Sequence, residues 1–168
     1  MKRILFVILF LTITKLSFSQ FGVGNHINFG YDVEFLNLTL KTNPSKDYGL
    51  TLRQGFGLNS PYYHRAETNL IFTRNFFKTD YSNFYVGLGG IMCYQKYDGK
   101  NYFDWGFNIP VGIEIFPNPQ KRNIGIAVES GLLFKTFKQR GIMERDEDKF
   151  AGYGGLSLHY YFGKKKKK

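Results

Sequence analysis

A serine, a histidine and a carboxylate stand at spacings that could support nucleophilic catalysis. Ser157 and His159 are two residues apart in one run of alternating side chains, so both point to the same face of an extended strand. Glu129 lies in the preceding run and could orient the imidazole, as the acid of a hydrolase triad does. A hydrogen-bonded cluster in a packed interior would use the same residues, so the pattern alone leaves both interpretations open.

No residue pattern indicates a metal or a cofactor. His26, His64 and His159 lack the local spacing of metal ligands. Cys93 is the only cysteine, which excludes a thiolate cluster and an intrachain disulfide. The glycines of 86–90 stand inside an alternating run and not between a strand and a helix, where a phosphate-binding loop would lie. We therefore expect neither a metal nor a cofactor.

The strongest signal in the chain is strict alternation of apolar residues with polar or small ones. A period of two is that of a strand with one apolar face. Asp104, Asn108 and Glu114 are among the residues that alternate with this face. Seven apolar residues occupy every second position of one run, and three from the last run continue the same face: Phe103, Trp105, Phe107, Ile109, Val111, Ile113, Ile115, Leu156, Leu158 and Phe162.

Similar runs, separated by turns rich in Gly, Pro, Asn and Asp, divide the chain into eight strands. The parity of apolar positions changes at Phe35 and Leu36, which predicts a β-bulge near Glu34. The longest predicted connection is 138–149. Three of the eight strands give weaker patterns, and they cover roughly 21–31, 33–42 and 66–77.

The net charge of +10 is concentrated at the two ends of the chain. Of 23 lysines and arginines, three lie in the first 20 residues and five form the tail 164–168, which leaves 15 against 13 acidic residues. The basic start, the apolar run and the small residues near Ser19 predict a cleaved signal peptide over 1–19. The remainder, 20–163, is one domain. Export and a near-neutral domain give no reason to expect a nucleic-acid partner.

Eight antiparallel strands could form a soluble, lipocalin-like barrel that binds an apolar ligand, or a membrane barrel with the opposite facing. A soluble barrel would expose Lys and Glu to water, whereas the second face here is mostly Gly, Ala, Ser and Asn. The bulky apolar face is long enough for the lipid-facing band of about 25 Å. Two aromatic belts are also predicted, one of Tyr94, Tyr97, Tyr102, Phe103, Trp105 and Phe150, the other of Tyr48, Phe76, Phe84, Phe116, Tyr160 and Phe162.

The predicted signal peptide, the glycine-rich strand at 86–90, the short turns and the final aromatic strand 160–162 resemble the small eight-stranded outer-membrane β-barrels of Gram-negative bacteria, the OmpX and OmpA-barrel type. The fold class that follows is all-β: a single closed, antiparallel, up-and-down, eight-stranded transmembrane barrel. The resemblance implies a monomer in contact with outer-membrane lipids, with both mature termini in the periplasm. An extracellular ligand would then contact loops 59–65 and 138–149.

Polar residues that alternate with the apolar face are expected to fill the barrel interior as a network of ion pairs and hydrogen bonds. We therefore favour a structural, surface-interaction or envelope-integrity role without an open pore and without enzymatic activity. The alternatives are the soluble ligand-binding barrel and a barrel enzyme acting on lipid A or phospholipid. The predicted interior network comprises His26, Arg53, Glu67, Asp104, Asn108, Glu114, Glu129, Lys135 and His159.

Overall fold

The computed structural model describes residues 21–30, 35–42, 46–60, 63–97, 100–139 and 145–162, with side chains for most of them. These residues form eight strands and short connections. In the part of the chain that the structure describes, no helix is long and apolar enough to span a membrane. The strands are β1 (Phe21–Gly30), β2 (Phe35–Thr42), β3 (Tyr48–Ser60), β4 (Tyr63–Phe76), β5 (Ser82–Tyr97), β6 (Lys100–Ile115), β7 (Ile124–Gln139) and β8 (Arg145–Phe162).

Each strand pairs antiparallel with its neighbour in sequence, and β1 pairs with β8 to close the barrel. The closing ladder runs from Phe21 opposite Phe162 to Gly30 opposite Tyr153. Closure leaves no strand edge unpaired, so the barrel does not need a second element to cover an edge. The predicted all-β, closed, up-and-down architecture of eight strands is confirmed.

The polarity of the barrel is reversed relative to a soluble protein. Along β6, side chains from Asp104 to Glu114 alternate between buried polar or small residues and exposed apolar ones. Trp105 is 60% exposed and Phe103 is 76% exposed, whereas Asp104 between them is 5% exposed. All ten residues of the predicted apolar face, from β6 and β8, are exposed on the outside of the barrel. The hydrophobic effect in water does not account for such an exterior.

Several sequence expectations about connections were wrong. The described parts of the predicted loops 59–65 and 138–149 are strand: β3 and β4 pair as far as Ser60 opposite Tyr63, and β7 and β8 as far as Gln139 opposite Arg145. Polar and charged residues there suggested loops, but backbone pairing continues because hydrogen bonds of the ladder do not depend on side-chain type.

The irregularities of the ladder also differ from the predicted ones. The register shifts between β3 and β4, in the interval from Gly57 to Ser60. The bulge predicted near Glu34 lies outside the described residues, as do the signal peptide 1–19 and the tail 164–168. The weak fourth run, predicted over roughly 66–77, begins three residues earlier and forms the 14 residues of β4, Tyr63–Phe76.

One end of the barrel carries the described chain ends and the β2–β3, β4–β5 and β6–β7 connections. The β6–β7 connection turns sharply at Arg122, which has a positive φ of 47°. Its backbone N–H donates to the carbonyl of Asn118 at 2.7 Å. Phe116, predicted to belong to an outer aromatic belt, is instead fully buried under this turn. The turn therefore folds over the opening between β6, β7 and β8.

Candidate functional site

All nine residues of the predicted interior network are buried inside the barrel. Because successive side chains of a strand point to opposite sides of the sheet, burial at every second position places them on the concave face. The carboxylates and cations come from different strands, so the barrel closure brings together residues that are far apart in sequence. Further polar residues on this face are Asn37, Thr39, Lys41, Thr51, Asn69, Gln95 and Ser157.

The central contact of the interior is a bidentate ion pair between Arg53 and Glu129. The two terminal guanidinium nitrogens of Arg53 donate to the two carboxylate oxygens of Glu129 at 2.8 Å and 2.7 Å. Arg53 belongs to β3 and Glu129 to β7, which are four strands apart in a barrel of eight. The pair therefore spans the full width of the interior, in the geometry that gives the strongest charge-assisted hydrogen bonds.

Two tyrosines complete the coordination of the Glu129 carboxylate. The hydroxyl of Tyr85 donates to one oxygen at 2.8 Å, and that of Tyr153 donates to the other at 3.0 Å. The Tyr85 ring fits because Gly112 faces it from β6: a Cβ at residue 112 would lie 2.5 Å from Tyr85 Cζ. Four donors thus compensate for the removal of this carboxylate from water.

A second cluster surrounds Glu114 near the turn that contains Arg122. Lys41 Nζ donates to Oε2 of Glu114 at 2.8 Å, again from a strand four positions away around the barrel. Tyr161 donates to Oε1 at 2.5 Å, and Nδ1 of His159 donates to the same oxygen at 3.1 Å. The carboxylate therefore links β2, β6 and β8 across the interior.

Aromatic side chains pack beneath this second cluster at one end of the barrel. The Phe116 ring contacts Tyr161, with 6.2 Å between ring centroids. The guanidinium of Arg122 lies over Phe116 at 4.0 Å from the centroid and donates to Oδ1 of Asn83 at 3.0 Å. Burial of Arg122 lowers its pKa, and the negative charges of Glu114 and Asp80 oppose that effect.

A third group lies toward the opposite end of the barrel. Lys135 Nζ donates to Oε2 of Glu67 at 2.7 Å, which joins β7 to β4. Gln95 donates to Asp104 at 2.6 Å between neighbouring strands. Asn108 donates to the hydroxyl oxygen of Tyr153 at 3.2 Å, which connects this region to the central pair.

The structure changes the interpretation of the serine and histidine pattern. Ser157 does not pair with His159: its Oγ lies 2.6 Å from Nδ1 of His26 on the adjacent strand. Nε2 of His26 lies 2.5 Å from Oδ1 of Asn28, which can only accept, so Nε2 donates and Nδ1 accepts from the serine. Glu129 orients no histidine, because its hydrogen bonds come from the Arg53 guanidinium and two tyrosines.

The Ser157–His26–Asn28 series has the hydrogen-bond direction of a nucleophile, base and orienting group. Its surroundings do not suit that chemistry. Ser157 and His26 are buried at 2% and 0% exposure, and a Cβ at Gly155 would lie 2.4 Å from the His26 ring. Because the serine and the histidine are both closed to solvent, the series is a buried hydrogen-bond chain that joins β1 to β8.

The charged pair described in the connections is exposed to water, unlike the ion pairs of the interior. Lys78 and Asp47 form an exposed ion pair between the β4–β5 and β2–β3 connections. The hydrogen bond from Lys78, with its positive charge, lowers the pKa of the Asp47 carboxyl. Because both groups remain in contact with water, this pair contributes little to stability.

Sequence reasoning missed several members of the interior network, namely Lys41, Tyr85, Tyr153 and Tyr161. The available signal was parity, because Tyr153 and Tyr161 occupy the same alternate positions as Ser157 and His159. Tyr102, predicted for an outer belt, likewise has the parity of Asp104. Within the described ranges, no group of three or more His, Cys, Asp or Glu could hold a metal ion.

The fold is similar to that of the N-terminal β-barrel domain of OprF from Pseudomonas aeruginosa. The TM-score is 0.60 with 14% sequence identity, over 86% of this chain and 98% of that domain. Neisserial surface protein A (NspA) aligns over 84% of this chain and 93% of its own, at 11% identity and a TM-score of 0.47. Ail, the attachment invasion locus protein of Yersinia pestis, covers 85% and 95% at 15% identity and a TM-score of 0.42.

At this level of sequence identity the similarity concerns the fold alone, and the comparison with the OprF domain supports it. The resemblance to small eight-stranded outer-membrane barrels, predicted from the sequence, is thereby confirmed as a resemblance of fold. No protein-family model matches the chain, and no curated protein matches it in sequence.

Proposed function

We propose that this protein is an outer-membrane β-barrel with a structural or surface-interaction role, and that it is not an enzyme. One observation carries the proposal: the exterior of the barrel is apolar and the interior is polar. Leu38, Leu88 and Trp105, from three different strands, are 58%, 61% and 60% exposed, whereas Glu114 and Glu129 are at most 2% exposed. Such an exterior is stable when hydrocarbon surrounds it.

The dimensions of the apolar surface support the same proposal. The exposed apolar residues of β6 run from Phe103 to Ile115, which is about 43 Å of strand at roughly 3.3 Å per residue. With a strand tilt of about 40°, this stripe rises about 33 Å, more than the lipid-facing band of about 25 Å requires. Residues such as Phe103, Trp105, Tyr48 and Tyr160 lie near the ends of the stripe, where aromatic rings favour the membrane interfaces.

We further propose that the interior network closes the barrel to solutes. The pairs Arg53–Glu129 and Lys41–Glu114 join strands four apart, so each crosses the interior at its widest. Barrels of eight strands leave an interior just wide enough for packed side chains. The role of the nine interior residues is therefore to hold opposite walls together rather than to conduct ions.

The proposed orientation places both mature termini, and the end that carries Arg122, in the periplasm. The opposite end then faces the exterior and includes the β7–β8 hairpin, whose pairing continues beyond the last residues paired with β6 and β1. We assign surface contacts with an extracellular ligand to this hairpin and to 59–65. The lipid-facing partners of the barrel wall are outer-membrane lipids.

Fractionation of the cell envelope tests the localisation. We expect the protein in the outer-membrane fraction, extracted by detergent and not by salt or alkaline carbonate, with faster gel migration before heating than after. Ile109→Arg should prevent stable insertion, because Ile109 lies in the middle of the exposed apolar stripe of β6 and a cation near the bilayer midplane costs about 2–4 kcal/mol. Ile109→Val is the matched control and should insert normally.

The two alternative functions predict different results. A lipocalin-like barrel would be recovered without detergent, and Ile109→Arg would leave its yield unchanged. An enzyme acting on lipid A would lose activity in Ser157→Ala, so unchanged lipid A mass spectra between the wild type and this variant would support a structural role for the serine.

A further inference from the structure

One outward-facing amide, that of Asn25, differs from the other polar groups on the apolar surface of the barrel. Asn25 lies on β1 between Leu38 of β2 and Leu158 of β8, its ladder partners on either side. It is exposed, and Leu38 and Leu158 beside it are 58% and 57% exposed. The amide therefore faces outward from the barrel wall within an apolar surface.

The other polar side chains of the outer face differ from Asn25 in one respect. Thr68 donates to Gln54 at 2.7 Å, and the hydroxyl of Ser130 donates to the carbonyl of Tyr153 at 3.2 Å. Thr42, Asn101 and Thr136 also make hydrogen bonds on the barrel surface. Among the uncharged, non-aromatic polar side chains that the structure describes on this face, Asn25 alone has no hydrogen-bond partner.

The position of Asn25 along the strand makes a lipid an unsuitable partner. Asn25 is four residues from Phe21, where β1 begins, so with roughly 3.3 Å per residue and a tilt of about 40° it lies about 10 Å inside the end of the barrel. That depth is within the hydrocarbon, where acyl chains offer neither donors nor acceptors. A polar group there requires a partner from protein.

We infer that Asn25 marks the contact between two copies of this chain in the membrane. A primary amide carries both donors and an acceptor, so two asparagines related by a two-fold axis satisfy each other with a reciprocal pair of hydrogen bonds. The surrounding outward side chains on β1, β2 and β8, including Ile27, Leu40 and Leu156, are apolar and uncharged, so the same axis brings together surfaces without charge repulsion.

The lengths of the strands around Asn25 support the same location for the contact. Over the residues that the structure describes, β1 and β2 have 10 and 8 residues and are the shortest strands, whereas the other six have 13 to 18. A second copy would therefore cover the part of the wall with the shortest described strands. This inference rests on the proposed membrane location, and it replaces the monomer expected from the sequence.

Sedimentation equilibrium of the mature chain in density-matched detergent micelles measures the association. We expect a reversible dimer, with a dissociation constant that rises about tenfold or more in Asn25→Leu, because that change removes both hydrogen bonds of the pair. Asn25→Gln retains a donor and an acceptor and should keep most of the affinity. Gln54→Leu is the matched control: it removes an outward amide that Thr68 already satisfies, and should leave the constant unchanged.

Cysteine cross-linking in phosphatidylcholine vesicles locates the contact. In a Cys93→Ser background, Leu38→Cys should give a covalent dimer on oxidation, and Leu88→Cys on the opposite wall should not. A purely monomeric protein, or a dimer unaffected by Asn25→Leu, would overturn the inference. Heat-dependent gel migration of every variant separates the two proposals, since an inserted monomer contradicts only the dimer, and a protein that does not insert contradicts the membrane location.

Discussion

Glu129 receives four hydrogen bonds from three residues that belong to three strands, against three hydrogen bonds for Glu114. Removing one member of a buried ion pair leaves the other charge without a partner, which typically costs about 3–5 kcal/mol. We therefore expect Glu129→Ala to lower the free energy of unfolding by about that amount in lipid vesicles. The fluorescence of Trp105, the only tryptophan, reports urea unfolding.

The control for this change is Lys121→Ala, which removes an exposed charge from a turn and should alter the free energy of unfolding by less than about 0.5 kcal/mol. Arg53→Ala combined with Glu129→Ala should be less destabilising than the two single changes added together, because no unpaired charge remains. Additive effects would contradict the direct pairing.

Gly112 and Gly90 provide a matched test of how tightly the interior is packed. A Cβ at Gly112 would lie 2.5 Å from Tyr85 and 2.9 Å from the carbonyl oxygen of Val128, whereas one at Gly90 would meet no atom within 4 Å. Gly112→Ala should lower the free energy of unfolding by about 1–3 kcal/mol through overpacking. Gly90→Ala should be tolerated. We therefore expect a lower urea midpoint for Gly112→Ala than for Gly90→Ala.

At the level of single residues, facing was predictable and partners were not. Alternation predicts which side of the wall a residue occupies, since the period of two is a property of the backbone. Partners across the interior depend on the register of each strand pair in the closed barrel. Alternation in a single sequence does not determine that register. For this reason the sequence suggests His159, on the same strand, as a partner of Ser157, whereas the serine bonds to His26 on another strand.

Among the connecting elements, the β6–β7 turn depends on Arg122 in two opposing ways. Its positive φ of 47° is costly for a residue with a Cβ, but its side chain lies over Phe116 and bonds to Asn83. Both Arg122→Ala and Arg122→Gly remove those contacts, and only glycine also removes the backbone strain. We expect Arg122→Gly to be more stable than Arg122→Ala by about 1 kcal/mol in the same urea assay. The reverse order would show that the turn relaxes in the variants.

The strands themselves were predictable where the apolar residues alternate without interruption, as in β6, and less so where they do not. The parity of β2 was difficult to predict because Phe35 and Leu36 are adjacent apolar residues. For that reason Lys41 was not predicted to face the interior. The charged residues at the ends of β7 and β8 predict a loop, whereas the backbone there is paired. Charge predicts contact with solvent but does not prevent pairing, because the hydrogen bonds of the ladder join backbone groups.

For the whole molecule, the proposed closure of the interior depends on the ion pairs that cross it. Two of the three lysine or arginine pairs with glutamate described inside the barrel join opposite walls, and the end beneath them is covered by Phe116. We therefore expect no stable conductance steps from the wild-type protein in planar bilayers. Arg53→Ala combined with Glu129→Ala removes both charges and much side-chain volume at the centre, and should produce single-channel steps while heat-dependent gel migration remains normal.

The matched control is Asp47→Ala combined with Lys78→Ala, which removes an ion pair of the same charge from the exposed connections and should remain silent. Each double variant removes one positive and one negative charge, so the net charge of the protein is unchanged in both. A difference in conductance between them therefore reflects where the ion pair lies. Silence in both variants would mean that tyrosines such as Tyr85 and Tyr153 fill the interior without the ion pair. Conductance in the wild type would contradict a closed interior. Ions would then have to pass the three ion pairs that lie inside the barrel.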